Sequence, residues 1–316
     1  MAFVPAPGYQ PVYNPALPYR CPVYGGLRAG MSVYIQGTIH PHVNQFVVNF
    51  SCGQYDGADI ALHFNPRFDG SNRIVLNTFQ RGSWGAEEDR RDLFPFHRGQ
   101  HFEIVFFVNP GGYQVTVNGS PFYQFNHRIP LERVETIHVD GNLTIQSLNI
   151  IGGGGGGMGG GVMPLPAYPS GNLPVMGGPQ YNPPVPYYGH IGGGLTSKRT
   201  VVVRGLISEG ATGFHINFKV GSSGDIALHF NARLNEKAVV RNSFLRGSWG
   251  HEEREMSFKP FKKGQYFDIS IRCGNSRFKI YVNGQHFCDF KHRFTAFQMI
   301  DGLEIGGNVV LSFVQI

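Results

Sequence analysis

The sequence predicts an all-β protein built as two similar antiparallel β-sandwich domains, and three observations carry that prediction. Short runs alternate apolar and polar residues with period two, as half-buried strands do. Gly, Pro and Phe are abundant (44, 21 and 26 residues) while Asp, Glu, Lys and Arg make up only 15% of the chain, which suits many short strands and turns better than long surface helices. The chain also repeats itself at an offset of about 160 to 170 residues. Because 316 residues exceed what one core usually serves, the repeat is read as two whole domains.

Taken in chain order, residues 1–17 read as a Pro/Tyr-rich tail and residues 18–151 as the first domain. Within it Ser32 to Ile35, Gln45 to Phe50, Phe102 to Val108 and Tyr113 to Val117 alternate like strands. Asn118-Gly119, set between β-formers, predicts a two-residue hairpin turn. Residues 152–185 open with a glycine run and continue with spaced prolines. Such a stretch cannot bury a core and reads as a linker, with an r.m.s. reach of roughly 30 to 35 Å as a flexible coil. Residues 186–316 form the second domain, with strand-like runs at Thr200 to Val203, Tyr266 to Ile271 and Phe278 to Val282, and a second turn at Asn283-Gly284. Two sheets packed face to face are the economical way to bury such strands.

The repeat is densest where polar residues cluster. Asp59-Ile-Ala-Leu-His-Phe-Asn65 is identical to Asp225-Ile-Ala-Leu-His-Phe-Asn231, and Arg81-Gly-Ser-Trp-Gly85 to Arg246-Gly-Ser-Trp-Gly250. His127-Arg128 answers to His292-Arg293, and Asn14-Pro-Ala-Leu-Pro-Tyr19 to Asn182-Pro-Pro-Val-Pro-Tyr187. In a strand, His63, Asn65 and Arg67 share one face while Leu62 and Phe64 point into the sandwich; His229, Asn231 and Arg233 repeat this before Leu228 and Phe230. Hydrogen-bonding side chains on an open face do little for folding and much for recognition. Trp84 and Trp249 are the only tryptophans and lie outside any apolar alternation, so each is expected to show its ring to a ligand. An indole covers the apolar face of a sugar, while neighbouring Asn, Arg, His and Glu bond its hydroxyls.

Other chemistries find less support. Residues 1–151 carry ten Arg, no Lys and eleven acids, a net −1, whereas residues 152–316 carry +7. The longest basic runs are pairs such as Lys262-Lys263, and the linker has no Lys or Arg, so no nucleic-acid partner is expected. A glycosidase needs two carboxylates about 5 to 9.5 Å apart across the scissile bond. The acids here, Glu87-Glu88 and Glu252-Glu253, are sequence neighbours that a strand points to opposite faces. No cluster has calcium-loop spacing, and Cys21, Cys52, Cys273 and Cys288 have neither C-x-x-C spacing nor equivalent positions in the two copies; no metal or cofactor is expected, and the cysteines read as free thiols. No apolar run approaches the ~20 residues of a membrane span, and Met1 to Gly8 lacks the pattern of a signal peptide.

The ordered set H-x-N-x-R, V-x-N, W-G-x-E, present twice, resembles the carbohydrate-recognition domain of galectins. The whole chain is similar to the tandem-repeat galectins, and its Pro/Tyr-rich start and final Val314-Gln-Ile316 agree with their intestinal subtype. The resemblance implies two jelly-roll, concanavalin-like β-sandwich domains. It also implies a metal-independent, bivalent, non-enzymatic lectin for β-galactoside glycans on glycoproteins and glycolipids, made in the cytosol and exported without a signal peptide. By resemblance His63, Asn65 and Arg67 bond the axial O4 of galactose, Asn77 and Glu87 bond O6, and Trp84 stacks on the ring. His229, Asn231, Arg233, Asn242, Glu252 and Trp249 would act likewise in the second domain. Two residues beyond the motif Glu, the family Arg is present as Arg254 but replaced by Asp89 in the first copy. Arg91 stands two residues further on and is a candidate substitute. From Asp89 against Arg254, and −1 against +7, the second site is expected to tolerate or prefer anionic galactosides such as sulfated ones, and the first to prefer neutral ones unless Arg91 compensates.

Overall fold

The computed structural model describes Tyr9, residues 11–152 and residues 177–316, so most of the expected linker lies outside the described residues. These residues form two compact units, one before and one after that stretch. The first contains β1 (Val12–Tyr13), β2 (Tyr19–Pro22), β3 (Ser32–Ile39), β4 (Phe46–Ser51), β5 (Ile60–Arg67), β6 (Arg73–Gln80), β7 (Ser83–Trp84), β8 (Glu88–Arg90), β9 (His101–Asn109), β10 (Gly112–Val117), β11 (Ser120–Asn126), β12 (Thr136–Gly141) and β13 (Leu143–Ile151). One sheet runs β2-β12-β4-β5-β6-β7 with β8 also on β6, and the other runs β1-β13-β3-β9-β10-β11.

The second domain repeats the plan with β14 (Gln180–Tyr181), β15 (Tyr187–His190), β16 (Thr200–Ile207), β17 (Gly213–Val220), β18 (Ile226–Arg233), β19 (Ala238–Leu245), β20 (Ser248–Trp249), β21 (Tyr266–Cys273), β22 (Arg277–Val282), β23 (Gln285–Lys291), β24 (Ile300–Gly307) and β25 (Val309–Gln315). Its sheets run β15-β24-β17-β18-β19-β20 and β14-β25-β16-β21-β22-β23. Every strand-like run read from the sequence overlaps one of these strands, with only Gln45 falling just before β4. The sheets also reach further than the expected domain limits. β1, inside the expected tail, pairs with β13, and β14, inside the expected linker, pairs with β25. Two-residue strands in Pro-rich surroundings leave no alternation to read; only the partner strand defines them.

Period two places the core. Val48, Phe50, Leu62, Phe64, Ile74 and Leu76 from one sheet meet Val33, Ile35, Ile104, Phe106 and Val115 from the other, and all are buried. Phe46 stacks on Phe102 (5.7 Å, 21°), as the equivalent Phe214 does on Phe267 (5.0 Å, 16°). Each buried phenylalanine contributes about 1.5 to 3 kcal/mol, which explains how a chain this rich in Phe holds two separate cores. The two Asn-Gly turns form as expected: Asn118 and Gly119 have φ of 51° and 78°, Asn283 and Gly284 of 49° and 76°, the doubly positive geometry of a type I′ hairpin. The four cysteines are unpaired, and burial pushes Cys21 up to about 11 and Cys273 and Cys288 to about 12, leaving these thiols inert at neutral pH.

Candidate functional site

Three adjacent strands of one sheet, β4, β5 and β6, build the floor of the first site. Their register sets Asn49, His63 and Asn77 side by side in one row, with Arg67 opposite Arg73 further along. The second domain sets Asn217, His229 and Asn242 in the same row of β17, β18 and β19. Nδ1 of His63 lies 2.7 Å from Oδ1 of Asn49, and Nδ1 of His229 lies 2.6 Å from Oδ1 of Asn217. An amide oxygen only accepts, so Nδ1 carries the proton and Nε2 is the acceptor. Burial, with Arg67 nearby, lowers His63 to about 4; burial, with His215 and Arg233, does the same to His229. Both imidazoles are neutral at physiological pH.

The indoles are placed by short turns. Arg81 (φ 52°) and Gly82 (79°) reverse the chain so that Trp84 pairs with Phe79, and Arg246 (54°) and Gly247 (81°) pair Trp249 with Phe244. Oδ1 of Asp59 accepts the Arg81 N–H at 2.8 Å, and Asp225 accepts that of Arg246 at the same distance. Each indole meets its histidine edge-on (4.8 and 4.9 Å, both 60°) yet remains half open to solvent, Trp84 at 53% and Trp249 at 52%.

Behind the indole, the chain is clamped from below. Asn77 donates to the Gly85 carbonyl (3.0 Å) and Asn242 to that of Gly250 (2.9 Å). Arg293 bonds the His251 carbonyl, Oδ1 of Asn242 and Glu253 at 2.8, 2.9 and 2.8 Å. Arg128 likewise holds Ala86, Asn77 and Glu88. A Cβ on Gly250 would lie 2.7 Å from the Arg293 guanidinium, and one on Gly85 2.8 Å from Oγ1 of Thr78, so a larger residue at either position would push these side chains out of the clamp.

An exposed indole beside a neutral imidazole acceptor, an arginine and a carboxylate suits an uncharged ligand with one apolar face and several hydroxyls. That describes a sugar, and the arrangement occurs twice. The galactoside-binding lectin family model matches residues 18–150 and 186–316. The chain belongs to this family.

Galectin-4 from Bos taurus is 56% identical and galectin-4 from Rattus norvegicus 54%, each over all of both chains. Galectin-8 from Rattus norvegicus is 37% identical over 95% of both. A solved structure of a human galectin-16 variant matches 44% of this chain and 98% of its own length, at 30% identity and a TM-score of 0.40.

Of the residues expected from the sequence, the His, Asn, Arg and Trp of each motif gather on one face in both domains, and in the second Glu252 joins them through Arg233. Asn65 is not displayed on an open face: it is 2% exposed, donating to the Phe46 carbonyl (2.7 Å) and accepting from Nε of Arg67 (2.7 Å). Asn77 and Asn242 are buried too, because their amides hold the Trp loop. Glu252 is locked into a ring of charges, accepting from Arg233 (2.9 Å) and Arg254 (2.8 Å), while Glu236 pairs with the same two arginines (3.5 and 2.8 Å). In the first domain Glu87 stands exposed. Arg91, beyond the end of β8, bonds one Asp89 oxygen at 2.9 and 2.7 Å, and Arg73 lies 3.9 Å from the same oxygen.

Arg254 is matched by two carboxylates and Asp89 by two guanidiniums, so each edge is locally balanced. Glu88 is bonded to Tyr123 (2.7 Å) and Arg128.

Sequence reading missed three supporting pairs: Asn49 and Asn217, Asp59 and Asp225, Arg128 and Arg293. Their signal was present, since each stands within a repeated segment, but none has a chemistry that names its role without the fold.

Proposed function

We propose that each domain binds the galactose end of β-galactoside glycans at its indole-walled site, and that the chain, with two such sites, cross-links the glycoproteins or glycolipids that carry them. The observation that carries this reading is the duplicated pair of half-exposed indoles, each edge-on to a neutral histidine. The indole covers the apolar face of galactose. Nε2 of His63 or His229 accepts from the axial hydroxyl, and Arg67 or Arg233 donates to it. Glu87 or Glu252, with the free amide hydrogen of Asn77 or Asn242, serves the exocyclic hydroxyl. An equatorial 4-hydroxyl, as in glucose, leaves the half-buried histidine acceptor and arginine donor unpaired and is rejected.

The protein acts as a lectin and performs no hydrolysis. Family membership also supports export from the cytosol without a signal peptide; no helix among the described residues is long and apolar enough to cross a membrane. The decisive test is retention on immobilised lactose. Lactose should elute the protein, glucose should not, and a chelator should make no difference. Release by glucose or by chelator, or steady production of free galactose from lactose, sinks the reading.

A further inference from the structure

The second domain carries a cluster of cations that its galactoside site does not use. On the sheet opposite that site, Ile271 and Cys273 of β21 and Phe278 and Ile280 of β22 point into the core. The alternate residues Arg272, Arg277 and Lys279 therefore point outward. Together with Lys198, Asn275 and Ser276 they line a cavity of about 700 Å³. Lys198 is held at its rim by a bond from its N–H to the Cys273 carbonyl (2.7 Å). Arg277 reaches Asp289 at 3.2 Å; among the described residues Lys198 and Arg272 make no ion pair.

This basic wall is not required by the fold. The register equates Arg272 with Phe107, Lys279 with Gln114 and Arg277 with Gly112, and Lys198 with Gly30, whose N–H bonds the Val108 carbonyl in the same way. The first domain thus builds the same strands with none of the four charges. Like charges around one concavity repel one another and attract a multivalent anion. Much of the +7 of the C-terminal half is thereby displayed far from the galactose edge, where the charges are balanced.

We propose that this cavity binds a polysulfated saccharide, giving the second domain a glycan site on the sheet opposite its galactoside site. A volume of this size lies within the range of small-ligand pockets. Guanidinium forks fit the paired oxygens of a sulfate ester, and the Asn275 and Ser276 side chains suit sugar hydroxyls.

The test titrates the full-length protein with a fully sulfated heparin-derived tetrasaccharide, with and without saturating lactose. Binding should persist in lactose and weaken as salt is raised. The Lys198→Asn/Arg272→Gln double variant should lose about tenfold or more while binding lactose as the parent does. Asn is chosen because position 198 has φ 71°, which Asn tolerates. Displacement by lactose, unchanged affinity in the double variant, or preference for inositol hexakisphosphate or phosphoinositide vesicles over the tetrasaccharide overturns the proposal. The double-variant and salt readouts do not depend on lactose binding, so failure of the galactoside reading would be seen separately.

Discussion

At the scale of single residues, the indoles and histidines make the sharpest predictions. Trp84→Ala and Trp249→Ala should each weaken lactose binding at one site by about 1 to 3 kcal/mol, roughly five- to 150-fold. Folding should change little, since half of each ring already faces water. Calorimetry on the two single variants and the double variant measures this, and a double variant with parental affinity would remove the indoles from the site. The histidines set a pH window. With folded pKa values of about 4 against 6.5 for an unperturbed imidazole, the unfolded chain takes up protons first as pH falls. Stability should therefore be flat in these two groups above about pH 7 and decline between about 6.5 and 4. Lactose affinity should hold down to about pH 5 and then drop as Nε2 turns from acceptor to donor. Affinity that instead halves near pH 6.5 would mean that these imidazoles are not neutral acceptors.

At the scale of elements, the site depends on how short edge strands are held. β20 is two residues long and depends on the Arg246-Gly247 turn, the Asp225 side chain bonded to it, and the Arg293 clamp below. Asp225→Ala removes a hydrogen bond worth about 1 kcal/mol, and Arg293→Met removes three that fix the loop after Trp249. Neither side chain has been assigned to the sugar. Both variants should nonetheless lower lactose affinity at the second site several-fold and make Trp249 fluorescence more sensitive to quenching by acrylamide. A variant with weaker binding but parental quenching would argue for direct contact with the ligand.

At the scale of the whole molecule, each domain has its own core and its own site, so loss of one site should leave the other working. Once one site is engaged, tethering presents the second at an effective concentration on the order of millimolar. The parent chain should agglutinate vesicles bearing lactosyl lipid. Trp84→Ala and Trp249→Ala should still bind those vesicles without bridging them. Undiminished agglutination by a single-site variant would mean that copies of the chain associate with one another and supply the second site in that way.

How much of this was legible without the fold differs by kind of information. Period-two alternation, the Asn-Gly turns and the repeat determined two β-sandwiches, and the repeated His, Asn, Arg, Trp and Glu residues determined that both carry one kind of polar site. These are local properties: side-chain alternation and turn geometry are fixed by neighbours in the chain. Tertiary structure alone decided what each polar group is committed to. Asn65 and Asn77 looked like open ligands and are buried against backbone. Arg91 looked like a substitute and is paired with Asp89, and Arg254 looked like a free cation and is enclosed by Glu236 and Glu252. β1 and β14 became strands because β13 and β25 lay beside them. The four cations of the second domain, scattered between positions 198 and 279, became one cavity wall. Hydrogen bonds and ion pairs form between groups close in space, and the strand order that brings distant residues together is not written in any one segment.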